Sequence, residues 1–254
     1  MVIRDLIDKL EKKFPLDLQE EWDNSGLQFG NINNDLKNII ISLDFEEETI
    51  ENAIKKNCNL IITHHPYLFE AVKRMDFRDK YFKRIQKAIK NDITVYSMHT
   101  NLDKAEDGVN DNLCEVLDIK DIKILDDESN IGRIGTIKRT TARDFGELIK
   151  EKLKANSVII YGDTEKDIEK VAVCGGAGAF LAKNAIEKKA DFFLTSDVKY
   201  HEAIDYMEDG LIIADCGHFA SENQIIYHLQ NIIENMTDNE VYTYSKTDDF
   251  RTFI

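Results

Sequence analysis

No apolar run in these 254 residues approaches the ~20 residues that a membrane helix needs, so the chain is expected neither to span nor to anchor in a bilayer. A secretory signal core is missing too. Met1-Val2-Ile3-Arg4-Asp5 turns polar at once and runs into an amphipathic pattern, and a cytoplasmic location is expected. Cysteine is scarce: Cys58, Cys114, Cys174 and Cys216 lie far apart with no Cys-x-x-Cys pair, which excludes a thiolate metal site and predicts reduced, buried thiols. Basic residues are outnumbered, 33 Lys and Arg against 48 Asp and Glu, for a net charge of -15. Such a surface repels phosphate backbones on average. The nearest basic run, Lys83-Arg84 with Lys87 and Lys90, has helical spacing and predicts a solvated face, so nucleic acid is not a favoured partner. There is no Gly-x-Ser-x-Gly elbow and no Cys spaced with a His for covalent catalysis.

What is present suits a globular α/β protein, with 43% hydrophobic and 32% charged residues. The length allows one large or two modest domains, since single cores stop growing near ~250 residues. An amphipathic helix is predicted at 3–13 from Ile3, Leu6, Ile7 and Leu10. Short apolar runs, Ile39-Ile40-Ile41, Leu60-Ile61-Ile62 and Ile93-Thr94-Val95-Tyr96, alternate with helical segments at 46–57 and 77–91. Runs this apolar predict strands covered on both faces. The polar stretch Asp126 to Asn130 predicts a domain boundary, giving domains 1–125 and 126–254. Beyond it, strands are predicted at 131–137, 158–160, 171–173, 192–194 and 211–213. Helices are expected at 141–153, 178–189, 199–208 and 218–236. A last strand at 241–245 is free to return to the first domain.

Five of the six histidines and several carboxylates follow the carboxyl ends of predicted strands, where open α/β sheets place ligand sites. His64 and His65 follow one strand, His99 and Asp103 another, Asp197 and His201 a third, and Asp215, His218 and Glu222 a fourth. Adjacent histidines suit two metal ions ~3.5–4 Å apart. Pro66 stiffens their loop. His218 and Glu222, four apart at a helix start, project from one face. A carboxylate bridges ions more readily than an imidazole does, which leaves Glu222 or Asp103 as the bridge. Nitrogen and oxygen donors of this kind accept Zn, Fe, Mn, Co or Ni without distinguishing them. His228, mid-helix beside Tyr227 and Leu229, is expected to pack. Gly175-Gly176-Ala177-Gly178 sits between a strand and a helix, where backbone amides can hold phosphate. It lacks a Walker ending, and Leu181 replaces the third glycine of a dinucleotide fingerprint, so a plain tight turn is the stronger expectation.

Thr63-His64-His65-Pro66, His99-Thr100-Asn101-Leu102-Asp103, Thr195-Ser196-Asp197 with His201, and His218 with Glu222 together resemble the Nif-three-like family, whose members are also called GTP cyclohydrolase I type 2 homologues. Trp22-Asp23-Asn24-Ser25-Gly26-Leu27 is similar to that family's early loop. The resemblance implies two α/β domains with helices on mixed sheets, a dinuclear metal site in the interdomain cleft, and a toroidal homohexamer. It implies His64, His65, Asp103, His218 and Glu222 as ligands, with Glu222 bridging, His65 and Asp103 on one ion, and His64 and His218 on the other. His99 and His201 then stand beside the metals as acid/base groups. The expected function is metal-dependent hydrolysis of a nucleotide or other phosphorylated small molecule. The alternative is a non-catalytic metal-binding ring serving as a scaffold or a nucleic-acid- or protein-binding module.

Overall fold

The computed structural model describes residues 1–246 and Arg251. In chain order it opens with α1 (Ile3–Lys13), β1 (Gly26–Phe29), β2 (Asn38–Ser42), α2 (Glu47–Lys55), β3 (Cys58–Thr63), α3 (Lys80–Lys90), β4 (Thr94–Ser97) and α4 (Thr100–Lys104). Then come α5 (Val109–Val116), β5 (Lys120–Asp126), β6 (Ile131–Thr141), α6 (Ala142–Leu153), β7 (Ile159–Tyr161) and β8 (Asp167–Val173). The chain continues through α7 (Ala182–Glu187), β9 (Phe192–Thr195), α8 (Tyr200–Glu208), β10 (Ile212–Asp215), α9 (His218–Glu222), α10 (Ile225–Glu234) and β11 (Val241–Thr243). None of the described helices is long and apolar enough to cross a membrane.

Two compact units emerge, one of Met1–Ala105 with Ile226–Ser245 and one containing Glu106–Ile225. The first holds a sheet of order β1-β4-β3-β2-β11, in which β4, β3, β2 and β11 are parallel and β1 is antiparallel. Its parallel strands are buried on both faces, as the unbroken apolar runs predict: Ile39, Ile40, Ile41, Leu60, Ile61 and Ile62 all have no exposure. The last strand does return, pairing Val241 with Ile39 at the sheet edge. Helix α1 buries Ile3, Leu6, Ile7 and Leu10, the stripe read from its spacing.

The second unit holds a mixed sheet of order β5-β6-β8-β9-β10-β7. Alternation along its parallel strands divides the core in two. Val171, Val173, Phe192, Leu194, Ile212 and Ala214 pack with Phe145 and Ile149, whereas Ala172, Phe193 and Ile213 pack with Leu181 and Ala185.

The division falls after Ala105 and not at 126–130. Asp126 to Asn130 is the turn of the β5–β6 hairpin. Asp126 accepts from the amides of Glu128 and Asn130 and from the Ser129 hydroxyl, and Asn130 takes a left-handed φ of 62°. Asp and Asn tolerate such turns through local hydrogen bonds, so polarity here marks a tight reversal within a sheet. Strand β5 carried no sequence signal, because it is an edge strand with four exposed residues and a register shift between Lys120 and Lys123 that breaks alternation. The helix expected over 218–236 is interrupted, ending as α9 at Glu222 and resuming as α10 at Ile225.

All four cysteines are reduced and buried. Burial pushes Cys58, Cys114 and Cys216 up to about 12, far from the thiolate form at neutral pH. The native protein at pH 8 should therefore leave a thiol reagent such as Ellman's reagent nearly unreacted over minutes, with all thiols titrating after denaturation; a fast-reacting thiol in the native state contradicts this packing.

Candidate metal centre

In the first unit, β3 and β4 run parallel with Thr63 opposite Ser97, and the two hydroxyls hydrogen-bond at 2.7 Å. The chains leaving these strands are thus side by side. His64 is buried, and its Nδ1 donates to the Met98 carbonyl at 2.8 Å. His65 donates from Nδ1 to Asp44 at 2.9 Å, and His99 from Nδ1 to Asp23 at 2.7 Å. Because carbonyl and carboxylate oxygens only accept, each bond places a proton on Nδ1, and in the neutral imidazole the lone pair is then on Nε2. The rings gather, with centroids 4.9 Å apart for His64 and His65, 5.3 Å for His64 and His99, and 5.7 Å for His65 and His99. One nitrogen from each of the three lies within 4.8 Å of the others. Asp103 follows one turn into α4, its amide bonded to the His99 carbonyl, and its Oδ1 stands 3.6 Å from His64 Nε2.

Asp23, in the early loop, organises this end of the sheet. Its side chain has no exposure, and besides His99 it accepts from the Thr100 amide and hydroxyl, the Ser25 hydroxyl and the Asn24 amide. Burial alone raises its pKa, but the hydrogen bonds from His99 and Thr100, the His99 charge and the Asn24 amide outweigh burial and hold the carboxyl well below the usual carboxylate range. Neither Asp23 nor Asp44 was singled out as an orienting acid from the sequence. Their partners are 76 and 21 residues away, and only the register of the sheet brings them together.

The second unit repeats the arrangement. Parallel β9 and β10 pair Thr195 with Asp215, so the loops carrying Asp197 and His218 leave together. His218 Nδ1 donates to Asp197 at 2.7 Å, and its Nε2 faces Glu222 Oε2 at 3.1 Å, one turn along α9. Glu222 is buried at 4% exposure. Asp215 is occupied with the amides of Val198 and Gly217. His201 is exposed on α8 with its ring against Tyr200, and among the described residues it joins no group of potential metal donors. His228 is half-buried on α10.

The glycine turn is structural. The Gly175 amide donates to Asn110, the Gly176 amide to Ser221, and the Gly178 amide to Thr195, so these donors are already taken. The turn instead shapes the space around Glu222: a Cβ on Gly176 would meet Glu222 Oε1 at 2.4 Å.

These donors suit a hard-to-borderline cation. At His64–Asp103 and at His218–Glu222 an imidazole Nε2 faces a carboxylate; with the imidazole neutral these are two acceptors, an approach that a cation between them makes favourable. Histidine ligands normally carry an oxygen acceptor on their other nitrogen, as all of these do.

Two variants test this construction. Gly176→Ala should lose about 1–2 kcal/mol from the left-handed φ of 65° alone, with a further loss from displacing Glu222, both read as a fall in the urea midpoint. Asp23→Asn should cost about 1–3 kcal/mol, because its amide would face the Thr100 and Ser25 donors. A carboxyl depressed in the folded state contributes above its ordinary pKa of ~3.9 and loses that contribution as pH falls towards its folded value. The stability gap between the wild type and Asp23→Asn should therefore close on acidification; a gap that is constant or widens in acid contradicts the assignment.

Residues 1–249 match the family model for DUF34/NIF3, NGG1p interacting factor 3. A Clostridium acetobutylicum relative, called GTP cyclohydrolase 1 type 2 homolog, is 36% identical over 227 residues, covering 87% of this chain and 85% of that one. Among solved structures, a Staphylococcus aureus hypothetical protein superposes with a TM-score of 0.94 at 27% identity, covering 100% and 99% of the two chains. Reduced HcgD from Methanocaldococcus jannaschii gives a TM-score of 0.84 at 31% identity, covering 96% and 97%. With the fold, the early Asp23 loop and the paired histidines all accounted for, the chain belongs to the DUF34/NIF3 family.

Proposed function

We propose that this protein is a metal-dependent hydrolase that holds two divalent ions with His64, His65, Asp103, His218 and Glu222. The observation that carries the reading is that His64, His65 and His218 each have Nδ1 tied to an oxygen, while the Nε2 atoms of His64 and His218 face carboxylates at 3.6 and 3.1 Å. Bound there, divalent ions would lower the pKa of a coordinated water towards neutrality and supply hydroxide for attack on an electrophilic centre. The chain's own residues do the rest. Asp44, Asp197 and the Met98 carbonyl orient the ligand imidazoles. His99, held by Asp23 through Nδ1, exchanges a proton at Nε2 beside the cluster. His201 has no comparable orienting acid among the described residues, so His99 is the acid/base group of this reading. The substrate class is a nucleotide or another phosphorylated small molecule, in keeping with the name carried by the relatives.

Elemental analysis of protein purified without chelator should give about two divalent ions per chain. His64→Ala and Glu222→Ala should each lower that number and, with it, turnover of nucleotide and phosphoester substrates by at least a hundredfold. Retained metal content in both variants refutes the ligand set. Full metal content with no turnover across a broad substrate panel refutes the hydrolase.

A further inference from the structure

Directly after His64-His65-Pro66, the first unit contains a cavity of about 540 Å³ lined by Tyr67, Phe69, Val72, Lys73, Arg74 and Phe82, among others. That is the size of a small-molecule site. Its aromatic side is firmly built. Tyr67 stacks on Tyr81 with centroids 4.2 Å apart and planes 10° from parallel, and the two exchange hydroxyl-to-carbonyl hydrogen bonds. Phe69 is 50% exposed and belongs also to the margin of the histidine cluster, its ring 6.4 Å from His99 and 5.9 Å from Trp22.

Charge points to the remainder of the occupant. Residues 67–84 carry six basic and three acidic side chains, in a chain where acids outnumber bases. Arg78 is paired with Asp76, and Lys87 nearby with Glu47 and Glu51. Lys73 and Arg74, both lining the cavity, form no ion pair or hydrogen bond among the described residues, and Glu70 is the acidic residue of the lining. Aromatic rings offer a stacking face, and an arginine beside a lysine offers donors and charge to a phosphate.

We propose that this cavity binds a small molecule joining a planar heteroaromatic ring to an anionic group, the chemistry of a mononucleotide. The ring lies against Phe69 and its aromatic neighbours, and the anion meets Lys73 and Arg74. This rests on the hydrolase reading only for the claim that the bound molecule is a substrate.

Trp22 is the single tryptophan and is 59% exposed beside Phe69, so its emission reports on ligands there without any need for turnover. The protein of residues 1–254 is titrated with GMP, guanosine and inorganic phosphate, in EDTA and separately with added divalent metal, and calorimetry repeats each titration. GMP should shift Trp22 emission saturably, with EDTA present as well. Guanosine and phosphate should each bind at least tenfold more weakly. Lys73→Ala with Arg74→Ala should weaken GMP at least tenfold and leave guanosine unchanged, whereas Phe69→Leu should weaken both. Absence of GMP binding at 1 mM by both methods, or a double variant within twofold of the wild type, overturns the proposal. A chain that binds GMP but takes up no divalent metal when metal is supplied refutes the hydrolase and leaves this site standing; a metal-loaded chain blind to GMP does the reverse.

Discussion

The hydrogen-bond ladder that sets Thr63 opposite Ser97 in β3 and β4 is the constraint on which the histidine cluster of the first unit depends. Parallel strands in register end together, so their carboxyl ends release His64, His65 and His99 within a few ångströms of each other. A slip of one residue would turn Thr63 and Ser97 to opposite faces and carry the histidines with them. The Thr63–Ser97 hydroxyl bond and the His64–Met98 bond tie the two exits at side-chain level as well. In the second unit, the same geometry between β9 and β10 brings His218 to Asp197.

Orientation is a separate layer from ligation. Asp23, Asp44 and Asp197 each spend a carboxylate on the Nδ1 of a histidine, and the effect is to select one tautomer and one ring angle. The facing acids, Asp103 and Glu222, lie instead toward the other nitrogen. This division of labour between carboxylates cannot be read from residue type. It explains why Asp197, a plausible ligand by its position after a strand, is a partner of His218. The glycine turn belongs to the same layer: its amides are consumed by Asn110, Ser221 and Thr195, and its lack of side chains leaves room for Glu222.

Much of this was legible in the sequence where the physics is local. The Ile3, Leu6, Ile7, Leu10 stripe, the unbroken apolar runs of β2 and β3, and the meeting of His64, His65 and His99 after two strand ends follow from period and position, whereas His201, placed in the same expectation, is exposed on α8. The return of β11 to β2 was left open because a terminal strand has no local signal for its partner. Strand β5 and the hairpin at 126–130 escaped because an exposed edge strand with a bulge loses alternation, and its polar turn has the composition of a linker. The orienting acids escaped because their contacts span long stretches of chain. The cavity after Pro66 left no sequence signal: the basic run with helical spacing is Lys83, Arg84, Lys87 and Lys90, whereas the lining cations are Lys73 and Arg74, on a segment without regular period.

The central proposal is a pair of cations on five named side chains, and anomalous diffraction from crystals grown with the divalent metal, at that metal's edge, addresses it directly. The account predicts two anomalous peaks ~3.5–4 Å apart, with the Nε2 atoms of His64, His65 and His218 and oxygens of Asp103 and Glu222 at ~2.0–2.2 Å. A single peak, or peaks that leave His64 and Glu222 outside coordination distance, would contradict it.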